Sequence, residues 1–254
     1  MTKRALKRLS RDSEHHSEPY GDDSKIRRLP VDRGWSPLGQ TGEVRDQAYV
    51  KTVRPKSAGQ ARLLEAIDQR SLVMALGPAG TGKTYLAITK AVEALEAGKV
   101  SRIVLSRPAV EAGESIGFLP GDVEDKLAPY LRPLYDALSD RLSMKRVRGL
   151  ISDGSIEIAP VGYMRGRTLN NAFVVIDEAQ NCTYVQLKML LTRLGWQSTM
   201  VVTGDPWQTD LLPELSGLAD VARRLEAVDE IAVVRLDEAD IVRHPLVASM
   251  LGVL

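Results

Sequence analysis

Gly77-Pro78-Ala79-Gly80-Thr81-Gly82-Lys83-Thr84 fits the spacing G-x-x-x-x-G-K-[ST] without a mismatch. That spacing serves one chemistry. Glycines let the backbone curl so that successive N–H groups face phosphate oxygens. The Lys83 ammonium meets the β- and γ-phosphates, and the Thr84 hydroxyl is placed to hold Mg²⁺. A second constellation follows the apolar run Ala172–Ile176, where Asp177-Glu178 makes a Walker B pattern. There Asp177 would hold Mg²⁺ through its hydration shell, and Glu178 would take a proton from an attacking water. Two acids at a strand end are commonly only polar residues emerging into solvent, but a phosphate loop in the same chain favours the functional reading. The third constellation is Gly204-Asp205-Pro206-Trp207-Gln208. An acid and an amide three residues apart suit a γ-phosphate sensor that also orders the water. Trp207 either stacks on a base, a contact of about 1–3 kcal/mol in single-strand binders, or packs into the fold.

These residues need strands that end together, and the sequence supplies the strands. Leu72–Leu76 is a short buried run before the phosphate loop. Behind the loop, Ile88, Ala91, Val92 and Leu95 repeat at helical spacing and Gly98 sits at the expected stop. Further strands are expected at Arg102–Leu105, Ile156–Ala159, Ala172–Ile176, Thr199–Thr203 and Ile231–Val234. Strands alternating with helices predict an α/β fold with a mostly parallel sheet flanked by helices. Ligands of such sheets gather beyond the carboxyl ends of the strands, where Ser106-Arg107-Pro108 also falls. A short helix is expected over 61–67. By sequence alone Gln60 reads as a surface glutamine, although its amide is able to read an adenine edge. Asp122 is expected to cap a helical region carrying Leu127, Leu131, Leu134 and Leu138, broken into pieces by Pro129 and Pro133. A further helix carries Leu187, Leu190, Leu191 and Leu194 and stops at Gly195.

Composition narrows the class. Of 254 residues, 44% are hydrophobic and 26% charged, as in a soluble globular protein. Net charge is +1, so any nucleic-acid contact must come from local patches. The single cysteine, Cys182, excludes a disulfide framework, reads as structural, and points to a reducing cytoplasm. No apolar run is long enough to cross a bilayer, and the charged N-terminus is not a secretory signal. Residues 1–36 carry nine Lys/Arg against six Asp/Glu, a net +3, with few apolar residues. This predicts a disordered basic tail, either free in solvent or touching RNA phosphates. Neither His15-His16 nor His244 has the neighbours of a metal site.

Together, Gly77–Thr84, Ser106-Arg107-Pro108, Gly117-Phe118-Leu119-Pro120-Gly121-Asp122, Tyr163-Met164-Arg165-Gly166-Arg167-Thr168, Asp177-Glu178-Ala179-Gln180-Asn181 and Gly204-Asp205 resemble PhoH-type ATPases. The likeness covers about residues 46–254, which leaves 1–45 as the tail. It implies a single RecA-like P-loop NTPase domain, similar to the first such domain of a superfamily 1 helicase. It also implies Mg²⁺-dependent ATP hydrolysis, a role on single-stranded RNA, and a homo-oligomeric ring, as in a hexamer. By the same resemblance Gln60 reads adenine, Asp177-Glu178 forms Walker B, and Gly204, Asp205 and Gln208 form a G-D-x-x-Q motif. The RNA link is expected to be weaker here, since 254 residues are expected to leave no room for the RNA-binding-like or nuclease domains that many relatives carry.

A helicase draws its arginine finger from a second RecA-like domain. Only eighteen residues follow Leu236, so the finger is expected from a neighbouring subunit. Arg243 is the first candidate and Arg165 and Arg167 are the next, while Arg243 pairing with Asp240 is the plain alternative. The strand-facing candidates are Arg107, Arg165, Arg167 and Trp207. The competing function is an ATP-driven oligomeric switch acting on protein partners. A small-molecule kinase fits poorly, because it needs no water-activating Glu after the Walker B Asp.

Overall fold

In the computed structural model the described residues are 53–108, 123–212 and 215–242, with backbone alone for 123–130. The expected tail and its boundary at 45, together with Asp122, Arg243 and His244, lie outside them.

The six apolar runs form one parallel sheet. Its strands are β1 (Leu72–Leu76), β2 (Arg102–Arg107), β3 (Ile156–Pro160), β4 (Ala172–Ile176), β5 (Thr199–Gly204) and β6 (Ile231–Arg235). The spatial order is β3-β2-β4-β5-β1-β6, and the six strands pair in parallel throughout. The fold is the α/β architecture expected, a parallel sheet flanked by helices, with the phosphate-loop strand β1 and the Walker B strand β4 on either side of β5. Register aligns their carboxyl ends: Leu76 pairs with Gly204 and with Arg235, and Ser106 pairs with Ile176. The loops after β1, β2, β4 and β5 therefore leave the sheet on one side.

Alternation along the strands builds two cores. Val73, Ala75, Ile103, Leu105, Val175 and Val201 face α1 (Ala58–Gln69), α2 (Lys83–Glu96), α3 (Val123–Ser139) and α4 (Met144–Ser152). Leu72, Met74, Val104, Val174, Ile176 and Val202 face the opposite layer, which holds α5 (Tyr184–Leu191) and α6 (Leu218–Leu225). Burial on both faces is what a parallel sheet requires, and it explains why these strands read as unbroken apolar runs. No helix among the described residues is long and apolar enough to cross a membrane.

Three expectations about helices are corrected. The first helix begins at Ala58, because the Ser57 side chain accepts from the Gln60 N–H and caps it. The helical region over 123–139 is one helix and is not broken by Pro129 and Pro133. Leu131, Leu134 and Leu138 are buried in the first core while Pro133 is exposed. The apolar burial of this stripe outweighs the helix penalty of the two prolines. The fifth helix stops at Leu191, three residues before Leu194, and its start is fixed by a reciprocal cap between Thr183 and Gln186. Gly195 serves a different purpose: a Cβ there would lie 2.1 Å from Asn170 Oδ1.

A proline inside a continuous helix leaves stability unclaimed. Pro133→Ala should stabilise the fold by about 2 kcal/mol, the helix-interior penalty less the lost restraint on the unfolded chain. Urea unfolding measures this, and a destabilised variant would mean that the helix does not run through position 133.

Candidate active site

The phosphate loop is braced by residues outside its motif. Gly77 lies at φ 145°, and a Cβ on it would meet the Leu236 carbonyl oxygen at 2.4 Å. Gly82, at φ 85°, begins α2, and a Cβ there would stand 3.2 Å from Gln60 Nε2. Backbone bonds tie the loop to both neighbouring strands, because Gly77 N–H donates to the Gly204 carbonyl at 3.2 Å and Leu236 N–H donates to the Leu76 carbonyl at 2.8 Å. Val242 N–H donates to the Gly80 carbonyl at 2.9 Å, so the segment after β6 also clasps the loop.

Gln60 is not the surface glutamine that its local sequence suggests. It is 5% exposed. Its Nε2 donates to the Thr81 carbonyl at 3.0 Å and its Oε1 accepts the Lys56 N–H at 2.9 Å. Its amide therefore braces the phosphate loop from α1. Gly59 beside it admits no side chain, because the buried Asp240 carboxylate fills that space and accepts the Gly59 and Asp237 N–H groups, each at 3.0 Å. Bonds from Ser57 and these amides hold the Asp240 carboxyl below the usual range.

Lys83 lies along the loop. Its Nζ donates to the carbonyls of Gly77 at 2.6 Å and Pro78 at 2.8 Å. Burial lowers its pKa from the ordinary lysine value, against the opposing pull of Asp205, Glu178 and Asp177. All three carboxylates of the second and third motifs thus act on the same ammonium. Asp177, at the end of β4, is buried, and one oxygen takes two hydroxyls. Thr84 donates to Asp177 Oδ1 at 2.5 Å and Thr203, on β5, donates to the same atom at 2.7 Å. A hydroxyl and a carboxylate oxygen touching beside a phosphate cradle form the donor set of a Mg²⁺ held mainly by water and phosphate. The residues present fit that ion.

Glu178 has a left-handed backbone, φ 52°, which a glutamate adopts at a cost of order 1 kcal/mol. Gln180 Nε2 donates to Glu178 Oε2 at 2.5 Å, while its Oε1 accepts the Asp205 N–H at 3.1 Å. Asp205 is buried and its Oδ1 accepts the Trp207 N–H at 3.0 Å. Gln208 is exposed, and its own N–H donates to the Asp205 carbonyl. Thr203 and Gln180 are the residues that sequence reasoning missed. Their only signals were a hydroxyl ending an apolar strand and an amide two residues beyond the paired acids.

The expected cations part company. Arg107, at the end of β2, turns inward: Nη1 is 3.8 Å from Asp177 Oδ2 and Nη2 is 3.5 Å from Glu178 Oε1. Arg167 is not a free cation, because its guanidinium grips Glu157 with contacts of 2.5 and 2.6 Å. Arg165 is exposed. Trp207 is 92% exposed, which rules out the packed alternative. It borders an apolar cavity of about 230 Å³ shared with Gly77, Pro78, Pro206 and Arg235. A cavity of about 700 Å³ at the other end of the sheet, beside Asp68 and Lys90, lies away from all of these groups. Cys182 is buried, which pushes its thiol up to about 12, in keeping with a structural role.

A lysine with a depressed folded pKa is a stability cost below that pKa, and the cost fades as pH climbs toward the unfolded value. Lys83→Met should therefore raise the melting temperature of the nucleotide-free protein near neutral pH. The gain should shrink as pH approaches the ordinary lysine value of 10.5. A lower melting temperature at neutral pH would show that the ammonium is a net support for the empty loop.

The family model described as PhoH-like protein matches residues 52–254. The "PhoH-like protein" of Bacillus subtilis (strain 168) is 53% identical over 210 residues, covering 82% of this chain and 66% of that protein. The "PhoH-like protein" of Mycobacterium tuberculosis (strain ATCC 25618 / H37Rv) is 55% identical over 201 residues, covering 79% and 57%. This chain therefore spans less than two thirds of the length of either relative. Among solved structures, the large terminase from a thermophilic bacteriophage aligns with a TM-score of 0.47 at 12% identity, over 78% of this chain and 50% of that one. By the family match and by the two relatives, this chain belongs to the PhoH family.

Proposed function

We propose that this protein is a Mg²⁺-dependent ATP hydrolase of PhoH type whose turnover is coupled to single-stranded RNA. The observation that carries the reading is the meeting of Thr84 and Thr203 on Asp177 Oδ1, with Glu178 adjacent and Lys83 within the field of both acids. Cradle, cation ligands and base converge on one point, as phosphoryl transfer to water requires.

In this reading the N–H groups of Gly77–Thr84 receive the phosphates. The Lys83 ammonium exchanges the Gly77 and Pro78 carbonyls for β- and γ-phosphate oxygens. Thr84 and Asp177 would hold Mg²⁺, which when bound neutralises charge on those oxygens. Glu178 accepts the proton of the attacking water. Asp205, fixed by Gln180 and by its own turn, reads the terminal phosphate, and Gln208 closes on the water from its exposed position. Gln60 senses the base side of the site through its hold on Thr81. Trp207 offers an aromatic face to a base of the RNA, with Arg165 as a phosphate contact. The Arg243 finger comes from a neighbouring copy in a homo-oligomeric ring, and the cytoplasm is the proposed compartment.

Phosphate release from ATP and Mg²⁺ tests both halves of this reading. Lys83→Ala and Glu178→Gln should each lower turnover at least about 100-fold, the scale of a lost base or charge clamp. Mixing Arg243→Ala with Glu178→Gln should restore part of the lost activity, because one mixed interface carries both intact groups. Normal turnover by either active-site variant would remove the site assignment. Absence of rescue at every mixing ratio would remove the shared finger and leave the hydrolase standing.

A further inference from the structure

The base proposed above needs to face a water, yet its carboxylate is held from two sides. Gln180 Nε2 donates to Glu178 Oε2 at 2.5 Å and Arg107 Nη2 stands 3.5 Å from Oε1. The two partners are not equivalent. Gln180 is anchored, because its Oε1 takes the Asp205 N–H and the residue is buried. Arg107 is loosely engaged. Its guanidinium divides between two acids at 3.5 and 3.8 Å, whereas Arg167 grips both oxygens of Glu157 at 2.5 and 2.6 Å. Arg107 also stands where β2 leaves the sheet, with its side chain 23% exposed.

A guanidinium in two long contacts at a solvent boundary is available for exchange. Its planar fork matches a phosphodiester better than it matches two separate carboxylates. We propose that Arg107 is a shared cation. In the absence of RNA it clamps Glu178 together with Gln180, and a phosphodiester of single-stranded RNA takes it over. That exchange frees Glu178 to turn toward the nucleotide. The consequence for turnover rests on the hydrolase reading above. The sharing itself is a binding equilibrium and stands apart from it.

Linkage makes the sharing measurable without any chemistry. If Glu178 and RNA compete for Arg107, removing the charge of Glu178 must tighten RNA binding, and only while Arg107 is present. Anisotropy of a fluorescein-labelled oligouridylate at low salt, without nucleotide, gives the dissociation constants. Arg107→Ala should weaken binding. Glu178→Gln should tighten it about threefold or more, the scale of coupling between touching charged groups, and the gain should vanish in the double variant. An equal gain in both backgrounds would mean general charge removal and would overturn the clamp. So would no gain, or no oligouridylate binding by the wild type and Glu178→Gln. Phosphate release gives the second arm. Arg107→Ala should turn over faster than the wild type without RNA and lose the RNA increment. A fall in that basal rate would place Arg107 on the nucleotide instead. A wild type that releases no phosphate would end the hydrolase reading, while the binding cycle still decides the clamp.

Discussion

One oxygen of Asp177 holds the site together. It takes hydroxyl protons from Thr84 on α2 and Thr203 on β5, while the Asp177 N–H donates to the Ser106 carbonyl of β2 at 2.8 Å. Three elements far apart in the chain are thereby fixed around a buried carboxylate. A buried charge is tolerated only where hydrogen bonds and opposite charges replace water. Here the replacements are two hydroxyls, Lys83 and Arg107. Two of them, Thr84 and Lys83, are also groups proposed to work on the nucleotide, so part of what stabilises the carboxylate is the machinery proposed to act beside it.

The parallel sheet makes that convergence possible. Its strands all point one way, so β1, β2, β4 and β5 deliver their trailing residues to one edge. Placing β5 between β1 and β4 sets Thr203 and Asp205 between the phosphate loop and the Walker acids. Burial on both faces restrains the strands, and the chemistry is carried by the short turns that follow them. The phosphate loop itself draws support from outside its motif: Gln60 from α1, Gly204 from β5, and Leu236 and Val242 from the segment after β6.

What was legible in the sequence was local. The phosphate loop, the six apolar runs and the acids at the end of β4 each show in consecutive residues, because strand burial and phosphate cradling act over neighbours in the chain. What was not legible depends on partners distant in sequence. Gln60 looks like a surface residue until Thr81 is brought to it. Arg167 looks like a free cation until β3 supplies Glu157, and Arg107 looks outward-facing until β4 brings the acids beside it. The prolines of α3 mislead for a related reason. Their local penalty is evident in the sequence, but the buried leucine stripe that outweighs it forms only against the sheet. Trp207 gives no sequence signal separating a packed ring from an exposed one, and the turn after Asp205 decides it.

The central claim is that Asp177, fixed by two threonines, is the residue through which a divalent cation ties nucleotide to this fold. Titration calorimetry with a non-hydrolysable ATP analogue, with and without Mg²⁺, tests it on the wild type and on Asp177→Asn. The account predicts that Mg²⁺ tightens binding to the wild type and that this gain is lost in the variant, while cation-independent affinity is retained. An equal Mg²⁺-dependent gain in both proteins would contradict it.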